Sequence, residues 1–197
     1  PDRKTPFMNF KDGLDCFYHQ IQEVFLFGNM LFAELNPAPH HPTLTRCPSK
    51  VFLQEVCNDE INIMLGAIQW LTWNKRNNYC SKCSNPITFM QNTAEKRCNI
   101  CNLSFFPSLS PAVMILVKKE NKLLLARSPH FTKGIYSALA GFIDIGETAE
   151  DAAHREVQEE VGLKIKSLQY FGSQSWPFPS SFMIAFTAEY LDGEIVM

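Results

Sequence analysis

Two Cys-x-x-Cys pairs, Cys80/Cys83 and Cys98/Cys101, constrain this chain more than any other feature. Two residues between cysteines let both sulfurs turn toward one point, and two such knuckles supply four thiolates for a tetrahedral ion. Residues 84 to 97 lie between the pairs, long enough for a short hairpin; Asn85-Pro86 starts a turn and Thr88-Phe89-Met90 reads as a strand. The expectation is a structural Zn²⁺ ribbon over residues 77–108, one ion per chain. Such a Cys₄ site is closed and performs no chemistry. A thioredoxin-like pair would need its own βαβ context, which is absent. The remaining three of the seven cysteines, Cys16, Cys47 and Cys57, have no metal spacing and read as ordinary thiols.

The 197 residues include 18 basic and 20 acidic side chains, so bulk electrostatic binding of nucleic acid is disfavoured. The longest apolar stretch, Val24 to Ala33, is broken by Gly28 and Asn29 and is well short of the ~20 residues of a membrane span. With no apolar leader after Pro1-Asp2-Arg3-Lys4, the chain reads as cytoplasmic or as an excised piece, without a membrane partner. Residues 1–76 form an N-terminal region of undetermined fold. Within it Asn36 to Pro42 is a proline-rich loop carrying exposed His40 and His41, and Glu60 to Trp73 has helical apolar spacing.

Beyond the ribbon, residues 109–197 change texture. Ala112–Val117 and Lys122–Ala126 read as a hairpin, with further strands at Ser137–Phe142, Leu168–Gln174 and Phe182–Tyr190, and a helix at about Thr148–Val161. The expected class is α/β (α+β) with a mixed sheet. Thr148 and Asp151 make a capping-box-like start, and Gly162 ends the helix. Ala149, Ala153, Val157 and Val161 form its apolar stripe. Beside it Glu156, Glu159 and Glu160 stand at i, i+3 and i+4, on one face near the negative end of the helix. That arrangement repels itself unless cations enter, and hard carboxylate oxygens suit Mg²⁺ or Mn²⁺ shared with substrate phosphates. An isolated acidic cluster of this kind is more often a solvated face, so its surroundings decide.

Those surroundings run Gly141-Phe-Ile-Asp-Ile-Gly-Glu147, seven residues, then Arg155-Glu156-Val157-Gln158-Glu159-Glu160-Val161-Gly162-Leu163. Every fixed position of G-x₅-E-x₇-R-E-U-x-E-E-x-G-U is met, U being a bulky aliphatic. The segment resembles a Nudix box, the loop-helix-loop of hydrolases that cleave nucleoside diphosphates linked to another moiety. Glycines 141 and 146 are expected to permit tight turns, and Arg155 to pair with Glu147.

The ribbon just before this domain, Leu139-Ala-Gly-Phe142, and Ser173-Gln-Ser-Trp-Pro-Phe-Pro-Ser-Ser181 after the box resemble the NADH pyrophosphatase branch, whose downstream array is SQPWPFPxS. Ser175 replaces the family proline, and Phe182 stands where leucine is usual. The resemblance implies a Nudix fold behind the ribbon, hydrolysis of NADH or NAD⁺ to AMP and the nicotinamide mononucleotide, removal of NAD caps from RNA 5′ ends, and a homodimer. It further implies that Glu156, Glu159 and Glu160 bind the catalytic metals, and that Phe142 and Trp176 lie near the base or nicotinamide, with Phe106, Gln174 and Ser181 as further substrate contacts. Stacking of a planar heterocycle on an aromatic face is worth about 1–3 kcal/mol. Phe105 and Phe106 also fit simple packing at the ribbon junction.

Two other readings stay open: a Nudix hydrolase for ADP-ribose or a diadenosine polyphosphate, and a non-catalytic ribbon module that binds nucleotide or RNA. Family members continue past Met197 with further strands, another metal-binding glutamate and a closing helix, so the domain reads as C-terminally truncated. The proton acceptor is one glutamate of the cluster or another acid brought close by the fold.

Overall fold

The computed structural model describes residues 21–27, 30–35, 47–52, 58–90 and 93–196. The sequence-level readings of His40, His41, Cys16 and Cys57 lie outside the described residues. The chain divides into two compact units, Pro1–Leu71 and Thr72–Met197.

In the first unit, β1 (Ile21–Phe27) pairs antiparallel with β2 (Met30–Leu35), Phe27 opposite Met30. The region left without a fold by its sequence thus contains a hairpin. A single helical turn, α1 (Ser49–Phe52), and the longer α2 (Asn58–Arg76) follow. The expected helix at Glu60–Trp73 forms and extends at both ends.

The second unit begins with the end of α2 and a three-stranded sheet, β3 (Ile87–Phe89), β4 (Lys96–Cys98) and β5 (Ser104–Phe105), antiparallel in that order. This is the hairpin expected between the cysteine pairs. Its core is small: Cys80, Ile87 and Cys98 are buried, with Cys83, Cys101 and Phe105 packed against them.

The larger sheet holds β6 (Ser110–Lys119), β7 (Lys122–Leu123), β8 (Leu139–Phe142), β9 (Lys164–Trp176) and β10 (Ser181–Asp192). β6 is its spine. One edge of β6 pairs parallel with β10, which pairs antiparallel with β9; the other edge carries β7 near Lys118 and β8 from Ala112 to Ile115. The sheet is mixed and the domain α+β, as expected. The apolar runs of β6 and β10 read as strands because their Val, Ile and Phe residues suit a pleated, buried surface.

The main hydrophobic cluster lies on one face of this sheet. Side chains alternate across a strand, so Val113, Ile115 and Val117 point one way, and α3 (Ala149–Val161) covers them with Ala152, Ala153, Val157 and Val161. Leu139, Leu163, Ile165, Phe186 and Ala188 complete the cluster. Fully burying a valine or leucine here contributes roughly 1.5–3 kcal/mol. The Thr148 hydroxyl oxygen accepts from the Asp151 N–H at 3.1 Å, and Gly162, at φ 72°, closes the helix by donating to the Gln158 carbonyl. Both caps stand where the sequence put them. No helix among the described residues is long and apolar enough to cross a membrane.

Candidate metal centres and active site

The two cysteine knuckles are built alike. In each, the first cysteine's carbonyl accepts from the N–H four residues on, Ser84 to Cys80 and Asn102 to Cys98, both at 2.8 Å. The donors Ser84 (φ 58°) and Asn102 (φ 53°) take the left-handed conformation that folds the chain back. Each first cysteine then donates its own N–H five residues on, to Asn85 and Leu103. The repeated geometry aims the sulfurs of Cys80, Cys83, Cys98 and Cys101 at one point, all within 4.8 Å of one another. Cys83 and Cys98 sulfurs are 3.5 Å apart. Sulfurs about 2.3 Å from a tetrahedral zinc stand about 3.8 Å from each other, so the group fits the ion.

The surrounding donors favour thiolate. Asn85 Nδ2 donates to Cys83 Sγ at 3.3 Å, and the Cys101 N–H to Cys98 Sγ at 3.4 Å. The Asn85 hydrogen bond draws the Cys83 thiol down to about 6, while its hydrogen bond to Cys83 pushes Cys101 up to about 12. Four thiolates this close repel one another, and a divalent cation among them lets all four ionise.

At the other centre the organising group is Arg155, one turn before the end of the glutamate cluster. Its Nε and Nη2 donate to the two oxygens of Glu147, both at 2.8 Å. Nη2 also donates to the Phe142 carbonyl at 2.9 Å, and Nη1 to Glu156 Oε1 at 2.8 Å and Glu159 Oε2 at 3.0 Å. Five contacts match the five N–H donors of a guanidinium. The Glu147 pairing is expected from the sequence, and the structure makes it a bidentate fork; the simultaneous hold on Glu156, Glu159 and Phe142 is not visible there.

The electrostatic consequences follow from that hub. Hydrogen bonding from Arg155, then from the Asp144 N–H, holds the Glu147 carboxyl down to about 2. Arg155 itself is raised above its ordinary value, first by Glu147 and then by Glu156. Glu160, outside the clamp, is raised by burial and by the nearby charge of Glu156.

Gly141 has a different reason from the one its spacing suggests. It lies in β8, opposite Val113 and on the helix-facing side, where a Cβ would fall inside the Glu156 carboxylate. Close approach, not a turn, requires glycine there; Gly146, at φ 86°, is the turn glycine.

The aromatic candidates lie on the sheet face opposite the helix. Phe142, Ala112, Met183 and Gln174 occupy one cross-strand row through β8, β6, β10 and β9. At three strand spacings the row is about 14 Å long. Trp176, two residues beyond Gln174, shares its face at the same end of the sheet. Phe142 is 56% exposed and Trp176 42%, both available to a planar ligand. The Trp176 ring meets Phe178 edge-on at 5.2 Å, and the Phe178–Pro179 peptide is cis.

The other named residues differ among themselves. Phe106 is 61% exposed beyond β5, while Phe105 packs into the ribbon core. Ser181 is only 4% exposed, at the first position of β10 opposite Ser110. It is buried rather than presented at a surface. Among the described residues the four cysteines are the one group of His, Cys, Asp or Glu drawn tightly enough to surround an ion; the three helix glutamates do not converge so closely. Hard divalent cations that keep several waters bind through fewer protein oxygens, so the looser set still fits one.

Comparison with known proteins finds chains similar to this one. A family model described as NUDIX domain matches residues 108–197. The chain is 42% identical over 164 residues to the NAD-capped RNA hydrolase NudC of Pseudomonas putida, covering 83% of this chain and 59% of that protein. It is 51% identical over 117 residues to the protein of the same name from Chromobacterium violaceum, covering 59% of this chain and 44% of that one. The chain therefore spans about half the length of the curated relatives it matches. A crystal structure of a NUDIX hydrolase from Nitrosomonas europaea superposes with a TM-score of 0.48 at 25% identity, over 58% of this chain and 68% of that one.

Proposed function

We propose that residues 108–197, which match the NUDIX domain model, form a hydrolase domain of the NADH pyrophosphatase family, and that the protein hydrolyses the pyrophosphate bond of NADH or NAD⁺, giving NMNH or NMN plus AMP, and removes NAD caps from RNA 5′ ends. The observation that carries the proposal is the Arg155 hub. One guanidinium ties Glu147, the Phe142 carbonyl, Glu156 and Glu159 together, so the acids are fixed to the end of β8, whose last residue, Phe142, carries an exposed ring on the other face of the sheet.

Glu156, Glu159 and Glu160 are the proposed holders of Mg²⁺ or Mn²⁺. A divalent cation bound there would neutralise phosphate oxygens and lower the pKa of the attacking water. The chain's own residues do the rest. Arg155 occupies one oxygen each of Glu156 and Glu159, leaving the other for a ligand, and fixes both rotamers before substrate arrives. Glu147 anchors Arg155. The proton of the attacking water goes to one glutamate of the cluster or to another acid that the fold brings close. Phe142 and Trp176 supply faces for adenine or nicotinamide, with Gln174 at the end of the same row. Phe106 and Ser181 are weaker contacts, Ser181 because of its burial.

Cys80, Cys83, Cys98 and Cys101 are the proposed ligands of one structural Zn²⁺. The working division is an N-terminal region at 1–76, a ribbon at 77–108 and the hydrolase domain from 109. A homodimer, on the resemblance alone, completes the proposal.

The test incubates the protein with NADH, NAD⁺, ADP-ribose and NAD-capped RNA in Mg²⁺ or Mn²⁺ and resolves the products by chromatography. AMP from NADH, lost in Glu159→Gln, is the expected result. Turnover of ADP-ribose with none of NADH would overturn the substrate, and equal turnover by the variant would overturn the glutamate assignment.

A further inference from the structure

Lys96 is buried, 3% exposed, and plays no part in the hydrolase site. Burying an ammonium is expensive unless its protons are taken up. Here they are taken up by a helix end. Nζ donates to the Asn74 carbonyl at 2.9 Å and to the Asn77 carbonyl at 2.7 Å, at the C-terminus of α2. The same nitrogen lies 5.3 Å from the Trp73 ring and 4.9 Å from that of Phe89, which meet edge-on at 6.2 Å. One aromatic belongs to the helix and the other to the ribbon strand β3.

The last carbonyls of a helix lack internal partners and form its negative end. No glycine closes α2, so other groups must. Asn77 Nδ2 reaches the Trp73 carbonyl and Asn78 Nδ2 the Lys75 carbonyl, both at 2.8 Å, and Lys96 takes those of Asn74 and Asn77 from across the fold. Lys96 comes from β4, the three-residue strand that ends in Cys98. Positions 96 and 98 point to the same side of a strand, and both are buried. The position of the lysine is thus set by the knuckle.

We propose that Lys96 is a clamp joining the metal knuckles to the end of α2, so that the state of the Cys₄ site governs whether the last turn of that helix stays formed. The inference rests on the zinc reading of the four cysteines. With the ion bound, β4 is fixed and the cation stays between the Trp73 and Phe89 rings over the helix carbonyls. With the ion removed, four crowded thiols no longer hold β4, the clamp leaves, and the final turn of α2 frays.

Hydrogen exchange measured by mass spectrometry on peptides covering residues 70–78 tests this in the whole chain. Chelation of the metal should reduce protection there about tenfold or more, the scale expected for losing charge-assisted hydrogen bonds. Lys96→Met should show the same loss while still holding one zinc per chain, and Lys96→Arg should recover part of the protection. Unchanged exchange in zinc-free protein, or in zinc-loaded Lys96→Met, overturns the clamp. So does loss of zinc from both variants, since the lysine would then serve the ribbon's own stability. If protein purified without chelator contains no zinc, the metal reading fails by itself, and the two variants still report whether Lys96 holds the helix end.

Discussion

Gly141 and Glu156 occupy the same space to within one methyl group: a Cβ on Gly141 would lie inside the Glu156 carboxylate. The glutamate therefore rests on bare backbone of β8, pressed there by Arg155 Nη1 from the other side. Gly141→Ala must displace it. A shift of about 1 Å at a reacting centre can cost on the order of 100-fold, so kcat/KM for NADH should fall about that much. The overpacking should cost roughly 1–3 kcal/mol in stability. Parallel assays and urea unfolding check both; wild-type activity in the alanine variant would remove the steric account.

Arg155→Lys keeps the charge but loses the fork. An ammonium has three donors for the five contacts to Glu147, Glu156, Glu159 and the Phe142 carbonyl, so two or more of these contacts are lost. Loss of a residue that orients metal ligands typically weakens metal affinity or activity by 10–100-fold. Mn²⁺ titration calorimetry on the lysine variant should show a drop within that range.

The acid response of the loop before α3 has a defined sign. Glu147 is held at about 2 in the fold, first by Arg155, against an ordinary value of 4.5. A depressed carboxyl contributes stability that is fully present above its unfolded pKa and is lost as pH falls through the folded one. Between about pH 4.5 and pH 2 the wild type should therefore lose stability that Glu147→Gln has already forfeited. Urea midpoints measured across that window should fall less steeply for the variant; parallel slopes would contradict the assignment.

Trp176→Ala removes an exposed ring beside the Phe142–Gln174 row. If the ring stacks on substrate, the loss of about 1–3 kcal/mol corresponds to roughly 5- to 150-fold in binding. The effect should appear mainly in KM for NADH, with the melting temperature little changed because the ring is far from the core on the helix-covered face. An unaltered KM would return Trp176 to a packing role.

What was legible in the residues was whatever depends on local spacing. The two knuckles, the capped helix, its three glutamates and the Glu147–Arg155 pair all lie within short stretches of chain, where period and side-chain chemistry suffice. Even the mixed sheet could be read from its apolar runs. The hairpin at Ile21–Leu35 was not, because a continuous apolar run does not by itself distinguish strand from helix.

Sequence alone determined which atoms are available: four sulfurs in two pairs, three carboxylates on one helix face and an arginine within reach of them. Tertiary structure decided what those atoms lean on. Gly141 is glycine because β8 passes under Glu156, Ser181 is buried where β10 begins between β6 and β9, and Lys96 is buried because β4 carries it to the end of α2. Each of these contacts joins residues whose sequence separation holds no periodic signal, and each is fixed only when packing brings two elements together.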